Sequence, residues 1–282
     1  MTEPRTLLTG LVLGESPRWH DGRLWFCDWG ARELVAVDAA GRPEVVLSVA
    51  AFPFCIDWLP DGTLLVVHGN DRLLLRQDAD GSLVTHADLR GVCDRPWNEV
   101  VADGRGNAYV NSIGFDLMAG EPPAPGVLAL VAPDGSARQV ADGLEFPNGM
   151  AITPDGSTLI VAESYGGRLT AFDVRPDGGL ANRRVWAAVE GAAPDGICLD
   201  AEGAVWYADV PDRCCVRVRE GGAVLARIEL DRGCFSCALG GEDGRTLFMT
   251  AAEWPGPDSS SDGARTGLVL AADAPAPAAR RP

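Results

Sequence analysis

Lysine is absent from this chain. All 24 basic residues are arginine, set against 40 acidic ones, for a formal net charge of −16. A nucleic-acid backbone or an anionic membrane surface needs a basic patch, so those partners are excluded, although a single Arg or a bound metal still allows an anionic substrate. The missing lysine itself is read as codon composition rather than mechanism. Long apolar runs are also lacking. Residues 1–14 hold no stretch long enough for a signal peptide and no stop-transfer segment, so a cytoplasmic location is expected. A second CxxC is missing too. Of the eight cysteines, Cys214-Cys215 and Cys234-x-x-Cys237 are the only zinc-like arrangements, and neighbouring cysteines rarely ligate together. The thiols sit in apolar patterns such as Ile197-Cys198-Leu199 and read as small core residues.

What the sequence has in quantity is turns. Thirty-four glycines and 20 prolines among 282 residues point to many short strands. One unit recurs six times: a loop, a short strand, a turn carrying Asp-Gly or an equivalent, and a second strand. The copies begin near Glu15, Phe54, Trp97, Pro147, Pro194 and Phe235, and their turn glycines are Gly22, Gly62, Gly104, Gly156, Gly203 and Gly244, spaced by 40, 42, 52, 47 and 41 residues. A second set of turns, among them Asp80-Gly81, Asp134-Gly135 and Asp177-Gly178, falls between them. Two hairpins per repeat make four strands, and the period is that of a propeller blade. The predicted fold is all-β, a six-bladed β-propeller with four antiparallel strands per blade, over residues 1–273. The Leu7–Leu13 stretch is expected to pair with the last blade and close the ring. Residues 274–282 have the composition of a disordered tail. Two insertions, 114–126 and 254–265, are candidate lids or binding loops.

In a propeller the first strand of each blade lines the central channel. Counting five to seven residues back from each turn acid lands on Glu15, Cys55, Asn98, Asn148, Asp195 and Ser236. Four of these carry hard oxygen donors from four separate blades. Two carboxylates at one channel mouth would repel each other without a cation. One divalent metal ion held by Glu15, Asn98, Asn148 and Asp195 is therefore expected, and an all-oxygen set favours Ca²⁺.

The stretches GESPRW, Asn98-Glu99, FPNGMAITPDGSTLIVAES, APDGICLDAEGAVWYAD and CFSCALGGEDGRTLF together resemble the SMP-30/gluconolactonase/LRE-like family, which includes regucalcin, over about residues 10–255. The resemblance implies the same four metal ligands, with Ca²⁺, Zn²⁺, Mg²⁺ or Mn²⁺ accepted. It further implies hydrolysis of a sugar lactone or other small lactone by metal-activated water, with Asp195 as both ligand and base. Family sugar lactonases often place an Arg two residues before the third-blade Asn and an Asp just after it, for substrate contact. Here Arg95 lies three residues before Asn98, and Glu99 follows it. Arg95 and Glu99 are the matching substrate-contact candidates, joined by Phe115 and Trp254, which adjoin the insertions, and by His68. Asp28, His68, Asn111, Glu163 and Asp209 end the second strands and read as hydrogen-bonded rim groups. Cys55 and Ser236 mark blades two and six as the expected side of substrate entry. A phosphotriesterase-like hydrolase, an isomerase or cyclase, and a non-catalytic Ca²⁺-binding propeller are the competing functions on this fold.

Overall fold

The computed structural model describes residues 3–38, 40–254, 256 and 264–279. They form six four-stranded antiparallel sheets arranged as the blades of a propeller. The innermost strands of the blades are Gly14–His20, Ile56–Trp58, Val100–Ala102, Pro147–Ile152, Pro194–Leu199 and Gly233–Gly240, and neighbours in this order pack side by side around the axis. Each inner strand ends in the Asp-Gly-type turn that marked its repeat, so the loops entering these strands gather at the opposite end of the channel.

The middle strands are apolar almost throughout, as in Leu64–His68 and Thr158–Glu163, so both faces of each blade are buried against its neighbours. The core accordingly divides into six clusters, one on each seam between blades. Leu65, Val67, Val100 and Val110 fill the seam between the second and third blades, for example, and Ala151, Ile160, Ile197 and Val205 that between the fourth and fifth. Each fully buried large aliphatic side chain contributes about 1.5–3 kcal/mol. All eight cysteines are free, and most lie in these seams. Cys214 and Cys215 alternate along their strand into different seams, which is why the adjacent pair cannot share a ligand.

Arg5–Leu11 pairs antiparallel with Gly267–Asp273, so the sixth blade is built from both ends of the chain and the ring closes as expected. The C-terminal segment differs from expectation. Ala274–Ala279 is not a loose tail but lies across the seam between the last two blades, at the turn end. The Ala278 amide donates to the Gly244 carbonyl, Ala279 donates to Leu199, and Ala201 donates to Pro277. Ala274 and Ala276 are buried. Small side chains allow this close docking where bulkier ones would stand the chain off. Residues 280–282 lie outside the described residues, as do 255 and 257–263, most of the second insertion. No described helix is long and apolar enough to cross a membrane.

Candidate metal-binding active site

Glu15, Asn98, Asn148 and Asp195 all line one cavity of about 1240 Å³ at the loop end of the channel. A recurring irregularity aims three of them. The ladder between first and second strands slips between Glu15 and Arg18, between Pro147 and Met150, and between Pro194 and Ile197, and each slip falls at the donor. A β-bulge bends its strand and turns a side chain out of the normal alternation. Here it directs the donors along the axis.

The glycines after two donors have a packing reason. A Cβ on Gly149 would stand 2.5 Å from the Ile197 nitrogen, and one on Gly196 would stand 1.8 Å from the Ser236 Oγ. The inner strands of blades four, five and six thus meet at distances only glycine permits, and this closeness lets donors from separate blades converge.

A second set of polar residues holds the donor loops. Asp28 accepts hydrogen bonds from the Val12 and Leu13 amides, both at 3.1 Å, just ahead of Glu15. Glu163 accepts from the Glu145 amide at 2.7 Å ahead of Asn148, and Asp209 from the Ala193 amide at 3.1 Å ahead of Asp195. Asn111 accepts from the Glu99 amide at 3.2 Å and donates to the Asn148 carbonyl at 2.6 Å. These four strand-end residues are buried and bonded to backbone, so they position the loops and do not present themselves to a ligand.

The donor carboxyls are electrostatically uncomfortable. Burial pushes Glu15 well above the usual carboxylate range, with Asp195 as the next cause. Burial likewise raises Asp195, helped by Glu99 and Asp209, while a hydrogen bond from Asn148 pulls the other way. The Asp195 Oδ1 is buried without a hydrogen-bond partner. Arg18, whose charge reaches Glu15, is already engaged by Glu99 at 3.0 Å and Asp57 at 3.7 Å. Two carboxylates, two amides and an orphaned oxygen directed into one cavity fit a hard divalent cation. Asp209, Asp212 and Cys214 form another acid–thiol group, with ligand atoms within 4.8 Å of one another. Its Asp209 oxygens are already bonded by the Ala193 and Asp212 amides, so it is a capped turn.

The expected substrate contacts divide. Phe115 and Trp254 line the cavity. Arg95 does not: it pairs with Glu121 at 3.0 Å and Asp94 at 3.3 Å, because the insertion of the third blade supplies a carboxylate that turns it away. Glu99 lies beneath the donors, only 4% exposed and ion-paired with Arg18, and so is not placed to bind substrate hydroxyls. His68 faces Asp71 at 3.2 Å and is not among the cavity-lining residues. Cys55 and Ser236 are buried and form no opening into the cavity. Sequence reasoning missed Phe146 and Tyr165, which join Phe115 in an aromatic wall. Their signal was adjacency, since Phe146 comes two residues before Asn148 and Tyr165 two residues after Glu163.

The SMP-30/Gluconolactonase/LRE-like region matches residues 13–253. The chain belongs to this family. A pentonolactonase of Haloferax volcanii is 27% identical over 274 residues, covering 93% of this chain and 89% of the relative. The solved structure of a gluconolactonase from Xanthomonas campestris superposes with a TM-score of 0.75 at 26% identity, over 94% of this chain and 88% of that one. Regucalcin from Agrobacterium tumefaciens, described as a calcium-binding protein, superposes with a TM-score of 0.78 at 25% identity, over 99% and 95% of the two chains. The chain thus resembles proteins named as lactonases and one described as calcium-binding, and the two solved structures share its propeller.

Proposed function

We propose that this protein is a metal-dependent lactonase, with one divalent ion held by Glu15, Asn98, Asn148 and Asp195. The observation that carries the proposal is the convergence of these four donors in a single cavity, with one buried carboxylate oxygen unpartnered. The oxygen-only donor set favours Ca²⁺ over a softer ion. When bound, the ion supplies Lewis-acid polarisation of the lactone carbonyl and stabilises the charge that develops on its oxygen.

The chain supplies the rest. Asp195 takes a proton from the attacking water as the water oxygen bonds to the carbonyl carbon. The same proton then passes to the ring oxygen when the acyl C–O bond breaks, leaving a hydroxy acid. Burial makes Asp195 a stronger base, and coordination to the ion would oppose that push. Glu15 and Asp195 would balance the two charges of the ion, while Asn98 and Asn148 contribute neutral oxygens that add no further negative charge. The relatives named as lactonases support the reaction class. Net charge of −16 supports a small-molecule substrate over nucleic acid, and eight unpaired thiols support a reducing compartment such as the cytoplasm.

Lactone hydrolysis followed by pH-stat, before and after chelation, tests the proposal. Hydrolysis should stop with EDTA and return on adding one divalent ion, and the ion should raise the melting temperature. Turnover that survives complete chelation rules out the metal role, and tight ion binding without turnover of any lactone or ester points to a binding propeller.

A further inference from the structure

Four of the eight thiols share a single seam, the one between the fifth and sixth blades. Cys198 reaches it from the inner strand Pro194–Leu199 of the fifth blade, and Cys215 from that blade's third strand, Cys214–Val218. Cys234 and Cys237 come from the inner strand Gly233–Gly240 of the sixth. Cys237 is set into the neighbouring blade. Its Sγ lies 3.7 Å from the Cys198 Sγ and 3.6 Å from both the Gly196 and the Trp206 carbonyl oxygens. Cys215 stands beside both Cys234 and Cys237. Packing in such a seam asks only for small apolar groups, which alanine supplies, and not for sulfur.

The four thiols do not enclose a metal ion. Among the described residues, three ligand atoms within 4.8 Å of one another occur only at Asp209, Asp212 and Cys214. What the thiols do provide is one close pair across a blade boundary. The two inner strands belong to different sheets, so no ladder of hydrogen bonds joins them. Cys198 and Cys237 lie 39 positions apart, and their sulfurs need approach by only about 1.7 Å to reach bonding distance. Cys198 alone of the four is not fully buried, so an oxidant meets it first.

We propose that Cys198 and Cys237 are a redox pair, closed to a disulfide by a hydroperoxide and reopened by a dithiol. The Cys198 sulfur attacks one peroxide oxygen, the O–O bond breaks, and the other oxygen leaves with the thiol proton as water or an alcohol. The Cys237 sulfur then attacks the Cys198 sulfenic acid. The S–O bond breaks, and the hydroxyl leaves with the second thiol proton as water. Two electrons pass from the thiols to the peroxide. The bond ties the sixth blade, whose sheet is assembled from both ends of the chain, to the fifth. Closing a loop of this length restricts the unfolded chain and so stabilises the ring. None of this depends on the chemistry of the cavity floor.

Treatment with stoichiometric hydrogen peroxide, followed by thiol counting in denaturant and by peptide mapping, tests the pair. The parent should lose two of its eight thiols, yield a cross-linked peptide joining Cys198 to Cys237, and regain both thiols in dithiothreitol. The map uses the parent chain, so it does not depend on a variant folding. Cys215→Ala should still form the bond, and Cys198→Ala should not. The oxidised parent should melt several degrees above the reduced protein, a shift that Cys198→Ala lacks. An unreacted parent, a sulfinic or sulfonic acid at Cys198 in place of the bond, or a bond between other cysteines overturns the pair. A Cys198–Cys237 bond that leaves the melt unchanged overturns its hold on the sixth blade.

Discussion

Asp195 on the cavity floor and Glu163 at the end of a second strand are both buried acids of the same repeated unit, and their oxygens meet different neighbours. Burial pushes Glu163 upward, but Arg168, the Glu145 amide and Thr170 together hold it below the ordinary carboxylate range. The Arg168 guanidinium grips it at 3.0 and 2.7 Å, and Arg183 adds a contact at 3.2 Å. Asp195 has no cation in contact, has Glu99 and Asp209 as acidic neighbours, and keeps Oδ1 unpartnered. The fold satisfies the acid that holds a loop and leaves unsatisfied the acid proposed to bind the metal. Burial alone does not separate the two classes; the count of donors around each oxygen does.

The contrast breaks most visibly at Asp195. Asp195→Ala should lower kcat about 10³-fold while the thermal melt stays cooperative, because no structural hydrogen bond to Oδ1 is removed. A kcat near that of the parent would move the base elsewhere. Glu163→Ala should weigh the other way, costing about 3 kcal/mol of stability through two stranded arginines and a bare Glu145 amide, with kcat below the melt falling far less than in Asp195→Ala. The sign with pH follows from the lowered folded-state pKa of Glu163. Its ionised form stabilises the native state above the unfolded carboxylate pKa of about 4.3, and that stability is lost as pH falls through the folded value. Urea titrations at several acidic pH values should show this loss in the parent and not in Glu163→Gln. A smaller effect, about 2 kcal/mol in melts, is expected for Gly196→Ala, whose methyl would press on Ser236. An unchanged melt there would show that the inner strands can separate without penalty.

The propeller was legible because its turns are chemically marked. Asp-Gly at a regular interval is a local signal, and six copies needed no knowledge of contacts. That Glu15, Asn98, Asn148 and Asp195 share one cavity was legible for the same reason, each lying five to seven residues before its turn. Partners from other blades were not legible. Glu99 follows Asn98, a candidate donor, but the strand alternation turns it to the layer where Arg18 of another blade waits. Arg95 has a suitable spacing and is claimed by Glu121, 26 residues further on in an insertion of no fixed pattern. The proline-alanine composition of 274–279 resembles a disordered end, and only the neighbouring Gly244 turn and the Leu199 edge give those backbone groups somewhere to bond.

The pairing of Arg5–Leu11 with Gly267–Asp273 also orders events in time. The Arg5–Leu11 strand has no partner until some 260 residues have followed it, so the intervening blades must fold while the circle is still open. Contacts this far apart in sequence form slowly, and the last seam is therefore the step at which a half-built ring from one chain can instead capture the N-terminal strand of another.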